Sequence, residues 1–189
     1  MKAEFDFVLL KQEIKQAAMQ AFSEIYNQTN PHNPVISFAL YSDEGAMTVC
    51  PSTNTNQHLN DMVKEEPDEA LYYKYEPAEW AFEGTGADEA FNNICTKLRN
   101  YILNAEQSDD DHDDSFVSFR DTLYRTCIEV LEELVLANFF ADITKRDIIV
   151  LFSVTDYEYD RSSSLQMVSR LNSAPVITEY KAWMEKWCD

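Results

Sequence analysis

Apolar residues near the start of the chain recur at spacings of three and four, which is the spacing of one helical face. The members of this stripe are Phe7, Leu10, Ile14, Ala17, Ala21, Phe22 and Ile25. The pattern predicts a long amphipathic first helix that ends near Asn27. A shorter apolar group, Leu59, Met62 and Val63, predicts a second helix that Pro67 brings to an end.

The same helical spacing returns in the second half of the chain and predicts four more amphipathic helices. Their apolar positions are Phe91, Ile94, Leu98 and Ile102; then Phe119, Leu123, Cys127, Val130, Leu131 and Leu134; then Leu165, Val168 and Leu171; and finally Tyr180, Trp183, Met184 and Trp187. A polar loop over residues 106–115 separates the first two of these helices. Asp160 or Ser162 starts the third, and Pro175 precedes the last.

Strand patterns occupy the regions between the helices. Residues 35–41 and 46–50 flank a turn at 42–45, and Gly45 is able to take the positive φ that a tight turn requires. This arrangement predicts a β-hairpin. Residues 71–75 have the aromatic bias of another strand, followed by a turn at Pro77.

Residues 148–154 are apolar at nearly every position, so we expect both faces of this segment to be covered. The pattern predicts a central strand with at least one arm of the hairpin as its neighbour. Early strands, then helices and one late strand favour an α+β fold. We therefore predict one domain over residues 1–189, with a small, mostly antiparallel sheet covered by several amphipathic helices.

Charge restricts the partners that the chain is expected to have. The 34 Asp and Glu residues outnumber the 15 Lys and Arg residues and give a formal net charge of -19. Such a charge repels phosphates and anionic headgroups, so we expect neither a nucleic acid nor a membrane partner. Acids within the first six residues disfavour a secretory peptide, and the strongly apolar run at 148–152 is too short to span a bilayer. These features predict a cytoplasmic location.

Motifs for cofactors and nucleophilic catalysis are missing from the sequence. Glycine occurs only at positions 45, 84 and 86, too few for a Walker loop or a dinucleotide fingerprint, and there is no G-x-S-x-G elbow. The three histidines lack metal-ligand spacing. Cysteines stand at positions 50, 95, 127 and 188 without a C-x-x-C pair, which indicates buried reduced thiols. We expect no cofactor.

An acidic run at residues 109–114 raises the question of a calcium site, because calcium takes several carboxylate oxygens from one loop. Its candidate ligands are Asp109, Asp111 and Asp113. The spacing fails the EF-hand pattern, since Asp114 stands where glycine is needed and Arg120 where a bidentate glutamate is needed. We interpret the run as a solvated loop without a metal site, with weak cation association as the alternative.

Two glutamates could serve as a catalytic pair. Glu79 and Glu83 would lie one turn apart if this segment were helical, beside the ring of Trp80. That arrangement would suit a hydrolase or transferase. The competing interpretation is a helix start with Trp80 in the core and both glutamates in water.

The stretch 43–89 combines acids with aromatics: it holds twelve Asp or Glu residues against two lysines, and several tyrosines. Acids around exposed rings form a surface that attracts a basic protein and then anchors it. The candidate surface consists of Glu65, Glu66, Asp68, Glu69, Tyr73, Tyr75 and Trp80. In the alternative interpretation the rings belong to the core and the acids only solubilise the protein.

A family resemblance rests on three stretches in order: the hairpin region 38–55, the segment 75–83 with its Pro-Ala-Glu-Trp core, and residues 169–172. Together they resemble the bacterial domain-of-unknown-function family 4303, which consists of small α+β proteins without an established activity. Glu76 stands where that family would place serine, which weakens any capping or catalytic role there. In size and acidity the chain is similar to immunity proteins of bacterial toxin systems. Our leading hypothesis is a non-enzymatic module that binds a basic protein, with such a toxin as one candidate.

Overall fold

The computed structural model describes residues 5–29, 31–106, 112–155 and 161–186, and within these ranges the chain folds into helices around one small sheet. The helices are α1 (Phe7–Gln28), α2 (Asn56–Glu65), α3 (Ala70–Tyr75), α4 (Asp88–Glu106), α5 (His112–Leu136), α6 (Phe139–Thr144), α7 (Arg161–Leu171) and α8 (Ala174–Lys186). The strands are β1 (Val35–Asp43), β2 (Val49–Thr55), β3 (Phe82–Glu83) and β4 (Ile149–Thr155). Short 3₁₀ helices cover Pro67–Glu69 and Pro77–Glu79. The fold is α+β, as predicted.

The sheet has the strand order β3-β2-β1-β4 among the described strands. Strands β1 and β2 form the predicted antiparallel hairpin. Strand β4 runs parallel to β1, with Phe38 opposite Val150, so the sheet is mixed. The prediction that β4 neighbours the hairpin is confirmed, but its central position is wrong, because β4 lies at the edge of the described sheet.

Helices cover both faces of the sheet, which explains why β4 is apolar at most positions. On one face Phe38, Val150 and Phe152 join the main core with the buried stripes of α1, α4 and α5. On the other face a smaller cluster contains Ala39, Tyr75, Trp80, Ile149, Leu151 and Val168. The apolar pattern of 148–154 therefore correctly predicted that both faces of the strand are covered. It did not predict the position of the strand in the sheet.

The hairpin turn works differently from the prediction. Its left-handed residue is Ala46, with φ of 53°, and not Gly45. A Cβ at position 45 would lie 2.8 Å from Oδ1 of Asp43, so a larger residue there would require this carboxylate to shift. That carboxylate holds the turn by accepting hydrogen bonds from the Met47 amide at 3.3 Å and from the Thr48 hydroxyl.

Other differences concern helices where the sequence suggested strand or loop. Residues 71–75 belong to α3 and not to a strand. The reason is tertiary packing, since Tyr75 stacks on Trp183 of α8 with ring centroids 5.5 Å apart, and such contacts override strand propensity. Helix α5 already begins at His112, inside the predicted loop 106–115, and the short helix α6 was not predicted.

Candidate binding surface

Four acids lie on the surface where α2 ends and α3 begins. Glu65 is the last residue of α2, Glu66 follows it, and Asp68 and Glu69 lie in the 3₁₀ helix Pro67–Glu69; all four are exposed. We call these four residues the acidic ridge. The ridge forms because Pro67 stops α2, since proline carries no N–H to continue a helix and restricts the residue before it.

Several lysines form ion pairs with acids outside the ridge, including Lys64, which directly precedes the ridge and pairs with Asp61. Lys11 and Lys15 of α1 bind Glu133 of α5, with Nζ to carboxylate distances of 2.9 and 2.7 Å, and Lys74 binds Glu179 of α8 at 2.7 Å. Within the described ranges, no ion pair involves a carboxylate of the ridge. The negative charge of the ridge is therefore available to a partner.

Tyrosine hydroxyls orient carboxylates on and beside the ridge. The Tyr73 hydroxyl donates to Oε2 of Glu66 at 3.0 Å. The Tyr72 hydroxyl donates to Oε1 of Glu79 at 3.2 Å. Burial, followed by the charge and hydrogen bond of Glu79, raises the pKa of Tyr72 to about 12, so its proton stays in place at neutral pH. Each of these two carboxylates therefore has a hydrogen-bond donor within the protein.

The aromatic residues proposed as anchors lie inside the protein. Tyr73, Tyr75 and Trp80 are 7%, 3% and 3% exposed. Tyr75 and Trp80 belong to the core cluster between the sheet and α8. Burial, together with the charge of Glu179, raises the pKa of the Tyr75 hydroxyl. In this structure the acids of the predicted surface are exposed, whereas the three rings pack in the interior.

Glu79 and Glu83 do not share a helix. Glu79 ends the 3₁₀ helix Pro77–Glu79, and Glu83 lies in β3. Each carboxylate meets a different tyrosine, since Glu83 accepts a hydrogen bond from Tyr41 and Glu79 accepts one from Tyr72. The predicted one-turn spacing of the two acids is therefore wrong, because the chain changes from helix to strand between them.

Glu76 caps a 3₁₀ helix, although the family resemblance had argued against a capping role at this position. Its carboxylate accepts a hydrogen bond from the Ala78 amide at 3.4 Å, at the start of the 3₁₀ helix Pro77–Glu79. Burial raises the pKa of this carboxyl. Position 76 thus shapes the Pro-Ala-Glu-Trp segment that carries Glu79 and Trp80.

Three aspartates of the acidic run 109–114 are the candidate metal ligands. Asp109 and Asp111 lie outside the described residues, and Asp113 belongs to α5. The described residues contain no group of three or more His, Cys, Asp or Glu side chains that could hold a metal ion. Among the described helices, none is long and apolar enough to cross a membrane.

Sequence reasoning did not identify Tyr41 and Tyr72 as partners of carboxylates. For Tyr72 the available signal was the density of tyrosine among acids in the stretch 43–89, and Tyr41 lies outside that stretch. Pairing depends on the fold, since Tyr41 lies in β1 and Glu83 in β3, which β2 separates. A local pattern does not reveal a contact across a strand.

The fold and surface together define an acidic α+β protein with a small mixed sheet between helices and an exposed acidic ridge. The chain belongs to the family described as "Domain of unknown function (DUF4303)", which matches residues 14–173. That span includes the sheet, the ridge and Asn172. No curated protein and no solved structure matches the chain.

Proposed function

We propose that this protein is a non-enzymatic binding module whose acidic ridge captures a basic protein. The observation that carries the proposal is the ridge itself: four exposed carboxylates on adjoining elements, without ion-pair partners in the described structure. A net charge of -19 adds long-range attraction to the same partner. We place this encounter in the cytoplasm.

Fixed carboxylates favour binding because less freedom is lost when a partner docks. Glu66 is already oriented by Tyr73. A basic partner would supply Lys or Arg side chains to the ridge, and Arg would form charge-assisted hydrogen bonds with these carboxylates. Toxins that act on nucleic acids are basic for the same electrostatic reason, since they must bind phosphates. More specifically, we propose that the ridge binds and neutralises such a toxin, which is the role of an immunity protein.

The experiment measures association kinetics between the intact chain and purified basic products of adjacent genes. The test variant is Glu65→Gln/Glu66→Gln/Asp68→Asn/Glu69→Gln. Its matched control is Asp114→Asn/Asp121→Asn/Asp142→Asn/Asp147→Asn, which removes the same charge from exposed acids in α5, α6 and the residues before β4. Both variants change the net charge equally, so a difference between them reports the position of the charges.

We expect the ridge variant to lower the association rate constant by about tenfold or more, and the control to lower it by less than about threefold. The wild-type rate should also fall steeply as salt rises, because interactions between exposed charges more than about 8 Å apart are largely screened at physiological ionic strength. A cognate partner whose association rate ignores both salt and the ridge substitutions would overturn the proposal.

A further inference from the structure

Two cysteines from different elements meet beside the hairpin. Cys50 lies in β2 and Cys95 in α4. The sulfur of Cys95 lies 3.4 Å from the backbone nitrogen and 3.4 Å from the carbonyl oxygen of Val49, the residue before Cys50. Cys50 is the next residue along the chain, and interaction between the two thiols shifts their pKa values in opposite directions. The fold thus joins two thiols that are 45 positions apart in the sequence.

The surroundings of the pair give the two sulfurs different roles. The hydrogen bond from Cys50 lowers the pKa of Cys95, and the Val49 amide and the charge of Arg99 act in the same direction. The same interaction raises the pKa of Cys50, as does burial. Asp43 opposes ionisation of both thiols. Cys95 is therefore the thiol of the pair that ionises more readily, and Cys50 is the one that ionises less readily.

Accessibility differs in a way that suits stepwise oxidation. Cys95 is 4% exposed, whereas Cys50 is half-buried and connects the pair to the surface. Cys127 provides a contrast inside the same chain, since it is fully buried in α5 and burial raises its pKa.

We propose that Cys50 and Cys95 form a redox-active dithiol, which hydrogen peroxide converts reversibly to a disulfide between β2 and α4. Both cysteines are free thiols in this structure, which represents the reduced form. The inference rests on the contact of the Cys95 sulfur with the backbone directly before Cys50, and it is independent of the ridge.

Hydrogen peroxide would oxidise the pair in two steps. The Cys95 thiolate attacks one oxygen of hydrogen peroxide, the O–O bond breaks, and the departing hydroxide takes a proton and leaves as water. The Cys50 sulfur then attacks the resulting sulfenic sulfur, the S–O bond breaks, and the second oxygen leaves as water with the Cys50 proton. Two thiols lose two electrons to form one disulfide, and peroxide gains them to form two waters. An added dithiol reduces the bond by exchange.

The test treats the intact chain with hydrogen peroxide and maps its cysteines by mass spectrometry without reduction. We expect a linked pair of peptides containing Cys50 and Cys95, lighter by two hydrogens than the separate peptides, and a return to free thiols after dithiothreitol. Cys127 should remain unmodified under the same conditions. The same treatment in denaturant should reduce the yield of this particular link, because unfolding separates the two sulfurs.

Variants assign the order of the two steps. In Cys50→Ser the resolving thiol is missing, so Cys95 should accumulate as a sulfenic acid that dimedone traps. In Cys95→Ser, peroxide should oxidise Cys50 at least about tenfold more slowly than it oxidises the wild-type pair, because the thiolate is lost. The Cys127→Ala variant, as the control, should form the link at the wild-type rate. The proposal fails if the folded wild-type chain gives no link between Cys50 and Cys95, or if Cys50→Ser yields no dimedone adduct on Cys95.

Discussion

The side-chain amide of Asn172 hydrogen-bonds both backbone groups of Val150 on the outer edge of β4. Its Nδ2 donates to the Val150 carbonyl oxygen at 2.7 Å, and its Oδ1 accepts from the Val150 amide at 2.9 Å. The amide therefore occupies the place that a neighbouring strand would take. Because the backbone groups of Val150 are satisfied in this way, an apolar strand is able to lie at the edge of the described sheet.

Replacing Asn172 by alanine should lower the free energy of unfolding by about 1 to 3 kcal/mol, because the donor and the acceptor of Val150 both lose their partner. Asn172→Asp should also be destabilising, since a carboxylate has no N–H for the Val150 carbonyl oxygen. Urea denaturation followed by circular dichroism measures both changes. The control is Asn93→Ala, which removes an exposed amide from α4.

The Asn93→Ala control should change stability by less than about 0.5 kcal/mol, as expected for an exposed helical position. If Asn172→Ala proves as mild as Asn93→Ala, water replaces the amide at the strand edge without cost. The structural importance assigned to the Asn172–Val150 pair would then be wrong.

Strand β4 shows which features of the fold the sequence predicts and which it does not. Local patterns give the type of an element and the burial of its faces, and the stripes of α1, α4 and α5 were predicted correctly for that reason. The order of strands depends on contacts between distant residues, and a single asparagine 22 positions after Val150 completes the edge of β4. Nothing in the local pattern of 148–154 contains that information.

The exposure of the acids in the candidate surface could be predicted from the sequence, whereas the exposure of its aromatic residues could not. The exposure of Glu65 and Asp68 was predictable, because burial of an unpaired carboxylate is strongly unfavourable. Aromatic residues have no such restriction, since they are common both in cores and at interfaces. The burial of Trp80 therefore had to come from the structure.

Trp80→Ala should lower the free energy of unfolding by about 3 to 5 kcal/mol, because it leaves a cavity in the cluster that contains Ala39 and Leu151. Thermal and urea denaturation measure the loss. Leu136→Ala serves as the control, since this side chain at the end of α5 is 76% exposed, and it should cost less than about 0.5 kcal/mol. If Trp80→Ala is as stable as the wild type but binds a partner more weakly, Trp80 is a binding residue and its assignment to the core is wrong.

The ion pairs between α1 and α5 should make stability depend on pH. Hydrogen bonds from Lys11 and then Lys15 lower the pKa of Glu133 below its ordinary value of 4.5. A depressed carboxylate pKa stabilises the fold above the unfolded-state value, and this contribution disappears as pH falls through the folded-state value. Glu133→Gln should therefore lower the free energy of unfolding by about 0.5 to 1 kcal/mol at neutral pH, since the pairs are half-exposed and screened.

At a pH below the folded-state pKa of Glu133, the wild type and Glu133→Gln should approach equal stability, because the wild-type carboxyl is then protonated. Urea denaturation at both pH values provides the comparison, and high salt should reduce the neutral-pH difference. Glu44→Gln is the control, because this exposed turn residue has no ion pair in the described structure. A difference for Glu133→Gln that persists unchanged at acid pH would mean that packing, and not charge, is the cause.

The last prediction separates the charge of the ridge from its orientation, and it depends on the proposed function. Tyr73→Phe removes the hydroxyl that holds Glu66 but leaves every charge in place. Long-range attraction depends on charge, so the association rate with a basic partner should stay within about twofold of the wild-type value. Glu66→Gln removes the charge and should lower that rate.

Orientation should act after the encounter, when the Glu66 carboxylate contacts the partner directly. Once Tyr73→Phe frees this carboxylate, binding has to restrict it again, and complexes should dissociate about threefold faster. Surface plasmon resonance measures both rates, with Tyr72→Phe as the matched control because its hydroxyl binds Glu79, outside the ridge. If Tyr73→Phe slows association as strongly as Glu66→Gln does, the hydroxyl supports the position of the ridge as a whole and not only the orientation of Glu66. If neither rate changes, preorganisation of Glu66 contributes nothing to capture, and only the charge of the ridge remains to explain binding.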